Sequence, residues 1–258
     1  MRVATWNING LRARFDFLLH WLRARQPDVV ALQELKLEDG EFPHLELEAA
    51  GYQAVTYGQR AWNGVAVLAR HRPTVVCRGL PGQEALGARL LTVATADGLH
   101  VASVYCPNGK HVGHPDFLRK LAWLDGLAVH LASAHSPDQP LVIGGDFNLC
   151  PAPIDSWNEA ALAGRIFHTA EERTLFARIL AWGLVDVFRD CRPGVQAFSW
   201  WDYRAGAFHK GQGLRIDLLL TTRPVLPRVR SVEIDRDYRK KKEGLIPSDH
   251  APVIVDLA

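Results

Sequence analysis

Four short apolar runs in this chain lead into, or follow, polar side chains able to bind a cation or move a proton. Val3–Trp6 stops at Asn7-Ile8-Asn9-Gly10, and Val29–Leu32 runs into Gln33-Glu34. Leu141–Ile143 passes through Gly144-Gly145 into Asp146-Phe147-Asn148, and Pro247-Ser248-Asp249-His250-Ala251-Pro252 precedes the last run, Val253–Leu257. A carboxylate directly after a buried strand must be solvated, paired or bound to a cation, because burying it alone costs several kcal/mol. A plain turn would account for Asn7 taken alone, and Ser248 could be a cap. Asp146 and Asn148 are harder to dismiss. Strand alternation sends both to the same side, and the two glycines before them permit close backbone approach.

Asn7, Glu34, Asp146, Asn148, Asp249 and His250 make an oxygen-rich set with one imidazole and no thiolate. Hard oxygen donors suit Mg²⁺ or Mn²⁺ rather than zinc. Mg²⁺ commonly takes one or two carboxylates and keeps water for a substrate phosphate, so Glu34 and Asp249 suffice as direct ligands and Asp146 stays free for proton chemistry. Hydrolysis of a phosphate ester is the reaction class that follows. G-x-S-x-G, H-E-x-x-H, G-x-x-x-x-G-K-[ST] and G-x-G-x-x-G are all missing, which removes support for acyl transfer, zinc proteolysis and nucleotide switching.

The elements that must position these groups are visible as apolar runs bounded by turn residues. Besides those already named, Val65–Leu68, Val75–Cys77, Leu90–Ala94, Val101–Tyr105 and Ile216–Leu220 read as strands, while Phe15–Arg25, Pro115–Ala134 and Glu171–Trp182 carry helical periodicity. Short breaks between Val65 and Tyr105 favour antiparallel pairing there. The reading is an α/β sandwich on two sheets, and without a long linker or a repeat the 258 residues are expected to form a single domain.

A formal charge of +2 declares no global field for a polyanion, but the charges are segregated. Residues 1 to 25 hold five Arg against one Asp, 26 to 51 hold seven acids against one Lys, and 223 to 244 hold eight bases against four acids. Four dispersed cysteines without a C-x-x-C pair fit reduced thiols, and no window approaches eighteen apolar residues. A cytoplasmic protein without a membrane partner is expected.

Six segments in order, Trp6–Arg12, Leu32–Lys36, Gly144–Asn148, Trp200–Arg204, Leu214–Asp217 and Ser248–Pro252, resemble the exonuclease III family of apurinic/apyrimidinic (AP) endonucleases. The likeness spans essentially the whole chain. It implies a four-layer αββα sandwich, two mixed β-sheets flanked by helices, with the site at one end of the paired sheets. It implies Glu34 as the principal Mg²⁺ ligand, helped by Asn7 and Asp249, with Asp146, Asn148 and His250 completing the surroundings of the metal; Mn²⁺ is expected to substitute. Asp146 would activate the attacking water and Asn148 would orient Asp146 or the scissile phosphate. His250 would bind the phosphate with its imidazole held by Asp217, and Tyr105 would contact the same phosphate. Asp146 is preferred to His250 as general base.

By the same resemblance Phe198, Trp200, Trp201, Leu214 and Ile216 would form a pocket for a flipped-out abasic sugar. Core packing is the competing account of Trp201. Arg12, Arg14, Lys110, Arg204 and residues 239 to 242 would contact the DNA backbone, and His168 would lie in a loop against the strand near the lesion. The implied function is a Mg²⁺-dependent DNA repair nuclease of base excision repair. It would act as a monomer on double-stranded DNA with abasic sites, nicks or blocked 3′ ends. The alternatives are a 3′-end-processing specialist with little abasic-site activity and a small-molecule phosphodiesterase on the same fold.

Overall fold

Strands buried on both faces read as continuous apolar runs, which is why most of them were visible in the sequence. The structure, a computed structural model, describes residues 1–258. In chain order its elements are β1 (Arg2–Asn7), α1 (Leu11–Arg25), β2 (Val29–Gln33), α2 (His44–Ala49), β3 (Gln53–Tyr57), β4 (Val65–Ala69), β5 (Thr74–Arg78), β6 (Leu90–Ala94), β7 (His100–Tyr105), α3 (Pro115–Ala134), β8 (Leu141–Asp146), α4 (Glu159–Leu162), α5 (Ala170–Ala181), β9 (Leu184–Asp186), α6 (Val187–Cys191), β10 (Asp217–Thr222), β11 (Val229–Ile234) and β12 (Val253–Leu257). One six-stranded sheet has the order β11-β12-β1-β2-β4-β3 and the other β5-β6-β7-β8-β10-β9. Each holds one parallel pair, β1 with β2 and β7 with β8, and is otherwise antiparallel.

Alternation along the strands builds three apolar layers. Val3, Val29, Val67, Val101, Val142 and Leu219 fill the space between the sheets. Their neighbours point outwards: Ala4, Trp6 and Leu32 pack against Phe17, Leu18 and Trp21 of α1, while Leu141 and Ile143 pack against Trp123 and Leu127 of α3 and Phe176 of α5. Each such side chain removed from water contributes about 1.5–3 kcal/mol. The result is the expected αββα sandwich of two mixed sheets. No helix is long and apolar enough to cross a membrane.

Three strands were not foreseen. β3, β9 and β11 each lie at a sheet edge, where one side of the ladder is unpaired. β9 has only three residues, and β3 and β11 carry polar or exposed positions, so none forms an apolar run. α1 starts four residues before the expected Phe15, crossing a kink at Arg14. α5 starts at Ala170 because Thr169 and Glu172 form a capping box: the Thr169 hydroxyl accepts from the Glu172 amide at 3.2 Å while the Glu172 carboxylate accepts from the Thr169 amide at 3.0 Å.

The glycine pair in β8 permits two close approaches below the site, one between the sheets and one within the second sheet. A Cβ on Gly144 would stand 2.9 Å from the Thr5 Cβ of the opposite sheet, and one on Gly145 would stand 2.0 Å from the Val104 carbonyl oxygen of β7. Glycine is what permits both approaches.

Candidate active site

Strand register brings the chemistry to one end of the sandwich. β1 and β2 run parallel with Asn7 opposite Gln33, so Glu34 follows at the same rim. In the second sheet Tyr105 of β7 stands opposite Asp146 of β8, and Asp217, opening the antiparallel β10, stands opposite Asp146 from the other side. β12 runs antiparallel to β1, so Ser248–His250, just before it, arrive at that rim too. Glu34 and Asn148 take left-handed backbone conformations, φ 52° and 49°, which tip the chain out of its ladder. Hydrogen bonds from Gly10 N to Glu34 O (2.7 Å) and from Leu35 N to Gly64 O (3.1 Å) hold the first of these turns.

Asp146 is the hub. Its Oδ1 accepts from the Asn148 amide at 2.9 Å; its Oδ2 accepts from Asn7 Nδ2 at 2.9 Å and Asn148 Nδ2 at 3.2 Å. Asn7 Nδ2 also reaches Glu34 Oε1 at 2.8 Å, so one amide bridges two carboxylates. Burial pushes the Asp146 carboxyl well above the ordinary range; the His250 imidazole pulls the other way, and Asp217 and Glu34 add to the rise. His250 places Nδ1 at 2.8 Å from Asp217 Oδ2, which also accepts from the Ser199 hydroxyl at 2.7 Å. Burial disfavours the His250 cation, but Asp217 and Asp249 outweigh it and raise the imidazole to about 10. Its Nε2 lies 3.9 Å from Asp146 Oδ2, beyond a hydrogen bond. Burial, with Glu34 and Asp146 nearby, lifts the Tyr105 phenol far above its usual value, so it is a neutral donor.

The ligand atoms of Glu34, Asp146 and His250 lie within 4.8 Å of one another. All three belong to the expected metal set. Asp249 borders the same cavity, but its Oδ1 accepts from Asn9 Nδ2 at 2.8 Å and its Oδ2 from Trp200 Nε1 at 3.0 Å. Burial would lift the Asp249 carboxyl, yet His250 and these two bonds hold it below the usual carboxylate range. His250 faces the other two residues of that cluster with Nε2, since its Nδ1 is taken by Asp217. Asn148 Nδ2 donates to Asp146 and to the Cys106 carbonyl, and its Oδ1 accepts from Asn108 Nδ2 at 3.3 Å.

The expected DNA contacts divide. Lys110, Trp200, Arg204 and Ile216 line the cavity of about 300 Å³ that holds Asp146 and His250. Leu214 lines an adjoining, more apolar cavity of about 320 Å³ with Trp157, Leu162, Phe167 and Trp200. Trp201, however, is 1% exposed and packs edge-on against Phe198 and Phe208, so it belongs to the interior. His168, nearly buried, borders that apolar cavity with its ring held between the Ile166 carbonyl at 3.1 Å and the Ser156 hydroxyl at 2.9 Å. Arg12 lies outside these cavities, paired with Glu41 at 3.0 Å. Arg14 and Arg239 are tied to the carbonyls of Pro247 and Asp249.

Several residues of the site escaped sequence reasoning. Lys36 bonds Glu34 Oε2 at 3.0 Å and Asn9 Oδ1 at 2.6 Å. The exposed Trp62, with Arg89 and Lys110, lines a third cavity of about 560 Å³ that also reaches Glu34 and Tyr105. Lys36 has a local signal, its place two residues after Glu34. Behind Asn148, the fully buried Lys120 pairs with Glu172 and donates to the carbonyls of Asn148 and Asn108. A lysine in an otherwise apolar helix face was the hint there.

Comparison with known proteins places this geometry. The chain is 34% identical to exodeoxyribonuclease III of Haemophilus influenzae over 98% of both sequences. It superposes on the 3′ phosphatase NExo from Neisseria, bound to a product DNA hairpin, with TM-score 0.93 at 32% identity, covering 100% of this chain and 99% of that one. An AP endonuclease from Archaeoglobus fulgidus gives TM-score 0.94 at 31% identity, again over 100% and 99%. Residues 4–250 match the Endonuclease/Exonuclease/phosphatase family, and with these relatives the chain belongs to that family, on its exonuclease III branch.

Proposed function

We propose that this chain is a Mg²⁺-dependent DNA repair nuclease, hydrolysing phosphate esters at abasic sites and 3′ ends of double-stranded DNA. It acts as a monomer, one domain over residues 1–258, in the cytoplasm. The observation that carries this is the convergence of Glu34, Asp146 and His250 on one cavity walled by Lys110 and Arg204.

The residues fit a hard cation. Glu34 and Asp146 are two carboxylates brought within reach of one donor amide, and their mutual repulsion contributes to the raised Asp146 carboxyl. A cation there relieves that repulsion, with Glu34 as the leading ligand and Asn7 and Asp146 beside it. When bound, Mg²⁺ supplies charge neutralisation on a non-bridging phosphate oxygen. The protein does the rest. Asp146, fixed by Asn7 and Asn148, takes a proton from the attacking water. The His250 cation, held through Nδ1 by Asp217, offers Nε2–H to a phosphoryl oxygen; the 3.9 Å gap to Asp146 leaves that proton uncommitted. Tyr105 offers the same phosphate a second donor, this one neutral.

The test uses Mg²⁺ and two duplexes, one with an internal abasic analogue and one nicked with a 3′-phosphate. Metal-dependent turnover is expected, abolished by chelation and lowered about 10²–10⁴-fold in Asp146→Asn with DNA binding retained. If neither duplex is hydrolysed with Mg²⁺ or Mn²⁺, the assignment fails. Phe167 favours a second reading, a 3′-end specialist: at φ 72° it stands in the wall shared by the catalytic and apolar cavities, edge-on to Trp200. On that reading Phe167→Ala raises abasic incision relative to 3′-phosphate removal.

A further inference from the structure

The base-rich stretch before the Ser248–His250 turn borders a cavity that the catalytic groups do not use. Arg239, Lys240 and Lys241 line it together with Tyr203, Phe208 and Ile246, around a volume of about 430 Å³. Glu34, Asp146 and His250 take no part in its wall, but Asp202 borders both this cavity and the catalytic one, so the two adjoin.

Arg239 is only 8% exposed, yet neither of its hydrogen bonds goes to a carboxylate. Its Nε donates to the Asp249 carbonyl at 3.1 Å and its Nη2 to the Trp201 carbonyl at 3.4 Å, which leaves Nη1 without a partner. The guanidinium carbon stands 4.9 Å from the Tyr203 ring centroid and 5.2 Å from that of Phe208. A cation withdrawn from water without a counter-charge is unfavourable, and burial lowers the Arg239 pKa. The acids around it are already engaged. Asp202 holds Arg204 at 2.9 and 2.7 Å, Asp237 holds Lys240 at 3.0 Å and also Lys242, and the Asp249 carboxylate accepts from Asn9 and Trp200. The exposed Lys241 has no acidic partner, and Arg14 beside Tyr203 bonds only carbonyls and the Tyr203 hydroxyl. Positive charge therefore gathers at this cavity with no protein group to balance it.

We propose that this cavity seats a backbone phosphate of the DNA, other than the scissile one, on Arg239 and Lys241. A phosphate supplies both the missing charge and an acceptor for Nη1. The assignment rests on the DNA substrate proposed above: a duplex carries one charge per about 1.7 Å of its axis, so one seated in the adjoining catalytic cavity brings further phosphates with it. Because Arg239 also holds the Asp249 and Trp201 carbonyls, the bound phosphate would brace the turn that carries His250.

The experiment follows fluorescence anisotropy of a duplex with an internal abasic analogue, bound by the whole protein carrying Asp146→Asn so that the DNA stays intact. Adding Lys241→Ala should weaken binding and lower the slope of log affinity against log salt by about 0.9, the counterion release of one phosphate. The gap to the parent should then close about threefold between about 50 and about 200 mM salt. Arg239→Gln should act in the same direction, its folding checked by circular dichroism; if it fails to fold, the exposed Lys241 carries the test. Single methylphosphonates, which remove one backbone charge at a time, should weaken the parent at one linkage besides the scissile one and have a smaller effect there in Lys241→Ala. An equal salt slope in parent and Lys241→Ala, or no linkage whose effect shrinks in the variant, would overturn the site while wild-type hydrolysis stands. Inorganic phosphate that raises the melting temperature of the parent but not of Lys241→Ala, with equal DNA affinity in both, would assign the cavity to free phosphate and overturn the DNA assignment. Absence of duplex binding and hydrolysis in the wild type would overturn the nuclease function itself, and this site with it.

Discussion

Replacing Lys120 by Met tests whether the ion pair behind Asn148 supports both fold and site. Lys120 and Glu172 are both 0% exposed, and the ammonium directs its protons to Glu172 and the carbonyls of Asn148 and Asn108, satisfying all three donors. Phe167 lies with its ring centroid 4.6 Å from the same nitrogen. Methionine keeps the apolar stem and leaves the Glu172 charge buried and uncompensated, which costs about 3–5 kcal/mol. At about 2–4 °C per kcal/mol for a chain of this size, the melting temperature should fall by about 6–20 °C. Glu172→Gln keeps an acceptor for the Phe167 and Thr169 amides, which now bond the carboxylate at 3.2 and 3.0 Å. The double variant Lys120→Met/Glu172→Gln should therefore recover more than about 1 kcal/mol of the summed single losses. Urea unfolding followed by tryptophan fluorescence gives the energies, and single-turnover hydrolysis should slow in parallel as Asn148 loses its anchor. A loss below about 1 kcal/mol in Lys120→Met, or strict additivity in the double variant, would refute the reasoning.

Three further perturbations address other parts of the molecule. Because the folded His250 imidazole is raised from about 6.5 to about 10, the stability it contributes is complete below about pH 6.5 and lost as pH climbs through about 10. The gap in urea midpoint between wild type and Asp217→Asn should thus be widest near pH 6; an equal gap at both ends of that range contradicts the pairing. Tyr105→Phe should slow hydrolysis about 10- to 100-fold with the melting temperature nearly unchanged, since it removes one hydrogen bond to a charged phosphate. A large stability loss there would instead mark the hydroxyl as structural. Arg215 is buried between Asp155 (2.6 Å) and Asp186 (2.7 Å), so Arg215→Met should cost about 3–5 kcal/mol in unfolding measurements, and a smaller loss would mean that the two carboxylates find other partners.

How much of this was legible depended on whether local spacing carried the geometry. Asp146 and Asn148 declared themselves because a strand's period of two and a glycine pair fix their relation within three residues. Glu34 did so because a carboxylate closing an apolar strand has few fates. The His250–Asp217 pair, 33 residues apart, has no local signature; the family resemblance supplied it, and register explains it. Asp249 shows the limit: its neighbours Asn9 and Trp200 lie 240 and 49 residues away, so nothing in the local sequence announces the two donors that hold it. Trp201 and His168 show a related limit. A residue beside a functional one in sequence need not face the same way: the Trp201 ring packs into the interior, and the His168 ring is tied to Ile166 and Ser156.

Gly144 and Gly145 have a consequence for how this enzyme can change. The 2.9 Å between Asn7 of one sheet and Asp146 of the other is permitted by the absent methyl group of Gly144, which faces Thr5 across the layers, while that of Gly145 lets β8 lie close to β7. Asn7, Tyr105, Asp146 and Asp217 are thereby mounted on paired strands of the two sheets, while Phe167, Trp62 and Arg204 sit on connections that can be rebuilt without disturbing those strands. Substrate preference is free to drift by loop replacement as the water-activating geometry stays fixed. A methyl at residue 144 should do the reverse, parting Asn7 from Asp146 and slowing every substrate alike.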